Sequence, residues 1–123
     1  MFSSSKAFSS FSVDDIQKAK KFYGEVLGLQ TETPMEMLAI KTSGNNDIFI
    51  YAKPNHEPAT FTVLNFPVDD INKAVDELTA KGVKFEQYHN EYINTDDRGI
   101  ARGQPTVAWF KDPAGNILSV IQQ

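Results

Sequence analysis

The apolar and polar positions of the chain follow two periods in turn. From Phe8 to Val13 the pattern alternates, with Phe8, Ser10 and Ser12 on one side and Ser9, Phe11 and Val13 on the other, as a strand requires. Val63 and Asn65 alternate with Leu64 and Phe66 in the same way. After each stretch the spacing becomes helical, through Ile16, Ala19, Phe22, Tyr23, Val26 and Leu27, and then through Ile71, Ala74, Val75 and Leu78. The pairs Asp14-Asp15 and Asp69-Asp70 stand where side chains cap helix N-termini, and Gly28 and Gly82 stand where a left-handed C-terminal cap belongs. Either Asp pair could instead supply carboxylates to a catalytic or metal site, but residues that open a helix after a strand are more often caps. Strand character returns at 30–32, 37–42 and 47–52, and again at 84–88, 106–111 and 117–122. Each half therefore predicts the order β-α-β-β-β.

The two halves are also copies in sequence. Phe11 to Ala19 recurs 55 residues later as Phe66 to Ala74, with seven of the nine positions identical. Two copies indicate an internal duplication, since a solenoid needs about three stacked repeats to bury its core. Turn chemistry joins the last two strands of each half, at Ser43-Gly44-Asn45-Asn46-Asp47 and at Asp112-Pro113-Ala114-Gly115-Asn116. The expected division is one domain over 1–123, with a first module at about 6–53, a connector at about 54–59 and a second module at about 60–123. The longest irregular stretch, 90–105, is polar and holds Gly99 and Gly103. A loop of that length is often a lid, with His89, Tyr92 and Arg98 as its working side chains.

Composition narrows the partners. The formal net charge of −4 disfavours nucleic acid and anionic membranes, and the densest basic run, Lys18 to Lys21, suits the solvated face of a helix. With no Cys, disulfides, Fe–S clusters, cysteine zinc sites and thiol nucleophiles are all excluded. No apolar run approaches the ~20 residues that span a bilayer, and the first residues lack a signal peptide's apolar region, so a cytoplasmic location is expected. There is no glycine-rich phosphate loop and no nucleophile elbow.

Several short motifs, in order along nearly the whole chain, resemble the vicinal oxygen chelate superfamily of glyoxalases, extradiol dioxygenases, fosfomycin-modifying enzymes and bleomycin-binding proteins. They are Val13-Asp14-Asp15-Ile16 with Ala19 and Phe22-Tyr23, then Leu27-Gly28-Leu29, Val68-Asp69-Asp70-Ile71, Lys81-Gly82-Val83, and Phe110-Lys111-Asp112-Pro113-Ala114-Gly115-Asn116. The resemblance implies an α+β fold of two tandem βαβββ modules whose curved mixed sheets enclose a cleft, often in a homodimer. It also implies where the metalloenzymes of the family carry His, Gln or Glu ligands. Those positions are Phe8 and Val63 in the first strands and Ile50 and Ser119 in the last strands. Four such residues offer a cation at most one hydroxyl, so no metal and no cofactor are expected.

The expected site is an apolar cleft with polar anchors, formed by Phe8, Ser10, Ile50, Val63, Asn65, Trp109 and Ser119. Tyr51 and Met37 are either further surface or ordinary core. The resulting expectation is a small organic ligand bound without metal, no nucleic acid or membrane partner, and a homodimer. The competing expectation is an enzyme, with displaced metal ligands such as His56, His89, Glu91 or Glu36, or with acid–base groups alone. His56, beside Glu57, and His89, near Glu91, read by default as exposed loop residues.

Overall fold

Each half of the chain folds one four-stranded mixed sheet around one principal helix. The computed structural model describes residues 1–43 and 46–123, so the turn expected at 43–47 lies partly outside the described residues, at Gly44 and Asn45. The chain divides into two compact units, Met1–Pro58 and Ala59–Gln123. The first contains β1 (Ser10–Val13), α1 (Ile16–Lys21), β2 (Gln30–Glu32), β3 (Leu38–Lys41) and β4 (Ile48–Ala52), with strand order β1-β4-β3-β2. The second contains β5 (Thr62–Pro67), α2 (Ile71–Ala80), β6 (Ile100–Ala101), β7 (Thr106–Lys111) and β8 (Ile117–Gln122), with strand order β5-β8-β7-β6. In each sheet the first strand pairs in parallel with the last, and the other neighbours are antiparallel. This is an α+β fold of two tandem modules with the same topology.

The Asp pairs cap, as their position after a strand suggests. The Asp15 carboxylate accepts from the backbone N–H of Gln17 at 2.9 Å and of Lys18 at 3.2 Å. Asp70 accepts from the Lys73 N–H at 3.2 Å. The first helix departs from its 3.6-residue pattern. After Lys21 it widens into a π-helical turn over Phe22–Val26, in which the Leu27 N–H reaches back five residues to the Phe22 carbonyl at 2.9 Å. Tyr23 is thereby fully buried, its ring 6.2 Å from that of Phe11 and 5.3 Å from that of Phe22. Gly28 follows at φ +71°, and Gly82 closes α2 at φ +94°.

Register fixes which side chains meet the helices. In the first unit Phe11 pairs with Ile50, and Ile50 with Leu38, so all three share the face turned to Tyr23. Val13, Ala19, Tyr23, Leu38, Ile40 and Ile50 are buried there. In the second unit Leu64 pairs with Leu118, Phe66 with Val120, and Leu118 with Phe110, and this face receives Ile71 and Val75 of α2. The Ile71 N–H also donates to the Gln122 side chain at 2.8 Å, on the same face. Each such apolar side chain contributes roughly 1.5–3 kcal/mol by leaving water.

Two strand expectations are corrected in the second unit. Segment 84–88 makes no strand of its own, only a bridge between Phe85 and Phe110, and the outer place beside β7 goes to Ile100–Ala101. The reason lies in the residues after Glu86. Tyr88 and Thr95 bond to each other, His89 bridges to Asn94, and the Asn90 carboxamide accepts from the Tyr92 and Ile93 N–H groups. The chain thus pairs with itself instead of lengthening the sheet, and the stretch expected to be irregular holds a small hairpin and β6. At the end of β7, Asp112 organises the turn by accepting from the Ala114 and Asn116 N–H groups at 3.0 and 2.9 Å.

Candidate functional site

Each sheet has a second face, opposite its helix. In the second unit Asn65 pairs with Ser119 and Ser119 with Trp109, so these three expected site residues form one row across β5, β8 and β7. The Ser119 hydroxyl, fully buried, donates to the Asn65 side-chain carbonyl. The Trp109 indole N–H donates to the Thr62 hydroxyl at 3.1 Å, and the Tyr88 ring meets the indole at 79°, with centroids 5.6 Å apart. Burial, followed by the nearby Glu86 carboxylate, raises the Tyr88 phenol above its ordinary range, so it stays protonated near neutrality. Val63 does not join the row. A bulge between Thr62 and Leu64 leaves Val63 as the unpaired residue, and Thr62 takes the place beside Trp109.

In the first unit the same geometry corrects Ile50. Ser10 pairs with Phe49 and Ser12 with Tyr51, whereas Ile50 points with Phe11 into the helix side and is fully buried. Since Ser10 corresponds to Asn65 in the repeat, the counterpart of Ser119 is Phe49. Phe8, 62% exposed, stands on the same face with its ring 5.0 Å from Phe49. Tyr51 is exposed there and Met37 is half-buried. His56, expected as an exposed loop residue, comes instead to this face, where its Nδ1 lies 2.7 Å from the Ser12 hydroxyl. No spacing in the sequence announces that pair, because the two residues are 44 apart and meet through the turn that bonds the His56 N–H to the Lys53 carbonyl.

The expected lid residues separate. Arg98 is tied to α2, donating to the Asn72 side chain and backbone carbonyl at 3.0 Å each and pairing with Asp76. It therefore serves the helix side and cannot swing over the opposite face without breaking three bonds. His89 is exposed and bonded to Asn94 at 3.0 Å, and Tyr92 is exposed at 86%. Arg102 joins the Arg98 cluster through Asn72 at 2.9 Å and through Asp96 at 3.3 Å.

Asp96 holds this loop's second turn by accepting from the Arg98 and Ile100 N–H groups. Desolvation is the largest influence on its carboxyl and pushes the pKa up. The two backbone donors and Arg102 outweigh it, leaving Asp96 below the ordinary carboxylate value. A depressed folded pKa adds stability above the unfolded value and loses it as pH falls through the folded one. Acid titration of unfolding should therefore show wild-type losing stability below the ordinary carboxylate range, with a shallower loss in Asp96→Asn. Parallel acid profiles for the two proteins would contradict this.

The positions where a divalent ion would be held do not fit one. Phe8 and Phe49 are aromatic, Val63 is aliphatic, and Ser119 offers a single neutral hydroxyl, which donates to Asn65. Hard and borderline cations require imidazole, carboxylate or carbonyl donors. Among the described residues no three His, Asp or Glu side chains gather to hold a metal, and Glu36, Glu57 and Glu91 are all exposed. Two open hollows of the described surface, of about 580 and 570 Å³, lie beside the helices, at Lys20, Glu25 and Thr31 and at Asp69, Lys73 and Glu77. No helix of the described residues is long and apolar enough to cross a membrane.

The model of the glyoxalase/bleomycin resistance protein/dioxygenase superfamily matches residues 8–120. The chain belongs to this superfamily. Among curated proteins, the uncharacterised YraH of Bacillus subtilis is 27% identical, over 88% of this chain and 90% of its own length. A glyoxalase family protein from Enterococcus faecalis superimposes with a TM-score of 0.68 at 21% identity, covering 98% of this chain and 99% of that one. The fosfomycin resistance protein FosX from Listeria monocytogenes superimposes with a TM-score of 0.70 at 12% identity, covering 95% and 91%. At such identities the superpositions establish the fold of the superfamily and leave activity to the side chains.

Proposed function

We propose that this protein is a metal-independent small-molecule-binding member of the superfamily, taking an organic ligand on the sheet faces that turn away from the helices. One observation carries the reading. The places where the superfamily's metalloenzymes are expected to hold ligands carry Phe8 and Phe49, paired as aromatic rings, the aliphatic Val63, and Ser119, whose hydroxyl donates to the Asn65 carboxamide. Within each unit taken by itself, uncharged side chains of this kind suit an organic molecule better than a cation. A homodimer and a cytoplasmic location belong to the same reading, the first by resemblance and the second from the expectation drawn from the sequence pattern.

The test is elemental analysis after incubation with Ni²⁺, Zn²⁺, Fe²⁺ and Mn²⁺ and dialysis. The expected result is a metal content far below one ion per chain for all four. Retention of one ion at near-stoichiometric level overturns the reading.

A second reading, acid–base catalysis without metal, is favoured by the 2.7 Å contact between Ser12 and His56, a distance at which a base activates a hydroxyl. Under it His56→Gln abolishes a measured turnover while circular dichroism shows the fold retained; a variant that keeps its turnover contradicts this second reading.

A further inference from the structure

We propose that the open face of the second unit takes a planar, uncharged ligand bearing a hydrogen-bond acceptor at its edge, with Asn65 reading the acceptor and Trp109 supplying the stacking surface. This rests on the small-molecule reading above and adds the ligand's chemical class. The Asn65 side-chain carbonyl accepts from Ser119, which fixes the carboxamide and leaves the NH₂ group to other acceptors. That group has two donors, belongs to an exposed residue, and has no partner among the described residues. Such a fixed donor pair recognises a carbonyl or ring nitrogen and leaves a molecule without an acceptor unrewarded. Trp109 has already given its N–H to Thr62, so what the indole offers is π surface, with Tyr88 standing edge-on to it.

Charge points the same way. Of the positions that register places on this face in β5, β7 and β8, Lys111 alone is charged, and it is paired with Glu86 at 3.3 Å. An ionic ligand would surrender hydration here and meet no free counter-charge.

Trp109 is the only tryptophan of the chain, so its emission reports on this face alone. Titration with 4-quinolone, quinoline-4-carboxylate, N-methylquinolinium and naphthalene compares four molecules of similar size. The expected result is saturable quenching by 4-quinolone, and at least about tenfold weaker or no saturable quenching by the other three. Asn65→Ala, an exposed substitution whose fold is checked by circular dichroism, should weaken 4-quinolone about tenfold, equivalent to about 1.4 kcal/mol. Equal quenching by the charged probes, or an unchanged affinity in Asn65→Ala, overturns the proposal. If 4-quinolone raises the unfolding temperature without altering Trp109 emission, this site fails while the small-molecule reading stands. If it does neither, the ligand class is wrong, and the metal analysis decides the broader reading independently.

Discussion

Replacing Phe110 by Ala should destabilise the protein by about 3–5 kcal/mol, the range for removing a large aromatic from a packed core. Phe110 is fully buried, meets the Phe85 ring edge-on at a centroid distance of 5.5 Å, and pairs with Leu118 across the sheet. Its removal leaves a void bordered by Phe85 and Leu118, and it also loosens the Phe85 bridge that holds segment 84–88 to the sheet. The loss is a large share of the roughly 5–15 kcal/mol that ordinary domains possess. Urea unfolding followed by far-ultraviolet circular dichroism measures it. A loss under about 1 kcal/mol would mean that the second unit's core collapses around the gap and that its packing is misassigned.

Gly99→Ala should be the second most damaging single change, costing about 2–4 kcal/mol from steric overlap and unfavourable backbone together. A Cβ at this position would lie 2.8 Å from Phe85 Cβ and 2.9 Å from the Glu86 carbonyl oxygen, with φ at +85°. Neither neighbour is the end of a flexible side chain, so relief requires the backbone of 85–86 and that of Gly99 to separate. Gly28 and Gly82 share a positive φ but have nothing within 4 Å of the added methyl. Their Ala variants should lose only about 1 kcal/mol, from backbone strain alone. The comparison of the three midpoints in urea separates the two causes. Equal losses at all three positions would remove the claim of a close approach at Gly99.

The fold was legible in the sequence because each level of the chain says the same thing twice. A change from period two to period 3.6 occurs at the same point in both halves, and an Asp that caps a helix marks each junction at Asp15 and Asp70. What could not be read are features set by one residue of slippage. Aligning the last strands by their apolar residues made Ile50 the counterpart of Ser119, yet the pairing of Ser10 with Phe49 and of Asn65 with Ser119 shifts the match by one and turns Ile50 to the core. The bulge at Val63 breaks the alternation in the same way, and the π-helical turn at Phe22–Val26 adds a residue that helical spacing cannot reveal. Asn65, Trp109 and Ser119 share one row because, beyond the bulge, alternation places all three on one side of the sheet. His56 and Ser12 meet through a turn in the connector, and Arg98 turns to Asn72 and Asp76 because α2 offers it a carboxamide and a carboxylate one turn apart. Contacts of that kind depend on loop paths, which leave no periodic trace.

Binding of an organic molecule to the open faces, with no metal as intermediary, is tested most directly by the unfolding midpoint of the protein with a bound compound. The midpoint is taken once in excess EDTA and once with each of Ni²⁺, Zn²⁺, Fe²⁺ and Mn²⁺. The expected result is the same stabilisation in every condition, about 2.7 kcal/mol for a compound present at roughly 100 times its dissociation constant. A stabilisation that vanishes in EDTA and returns with one of the ions would contradict metal-independent binding.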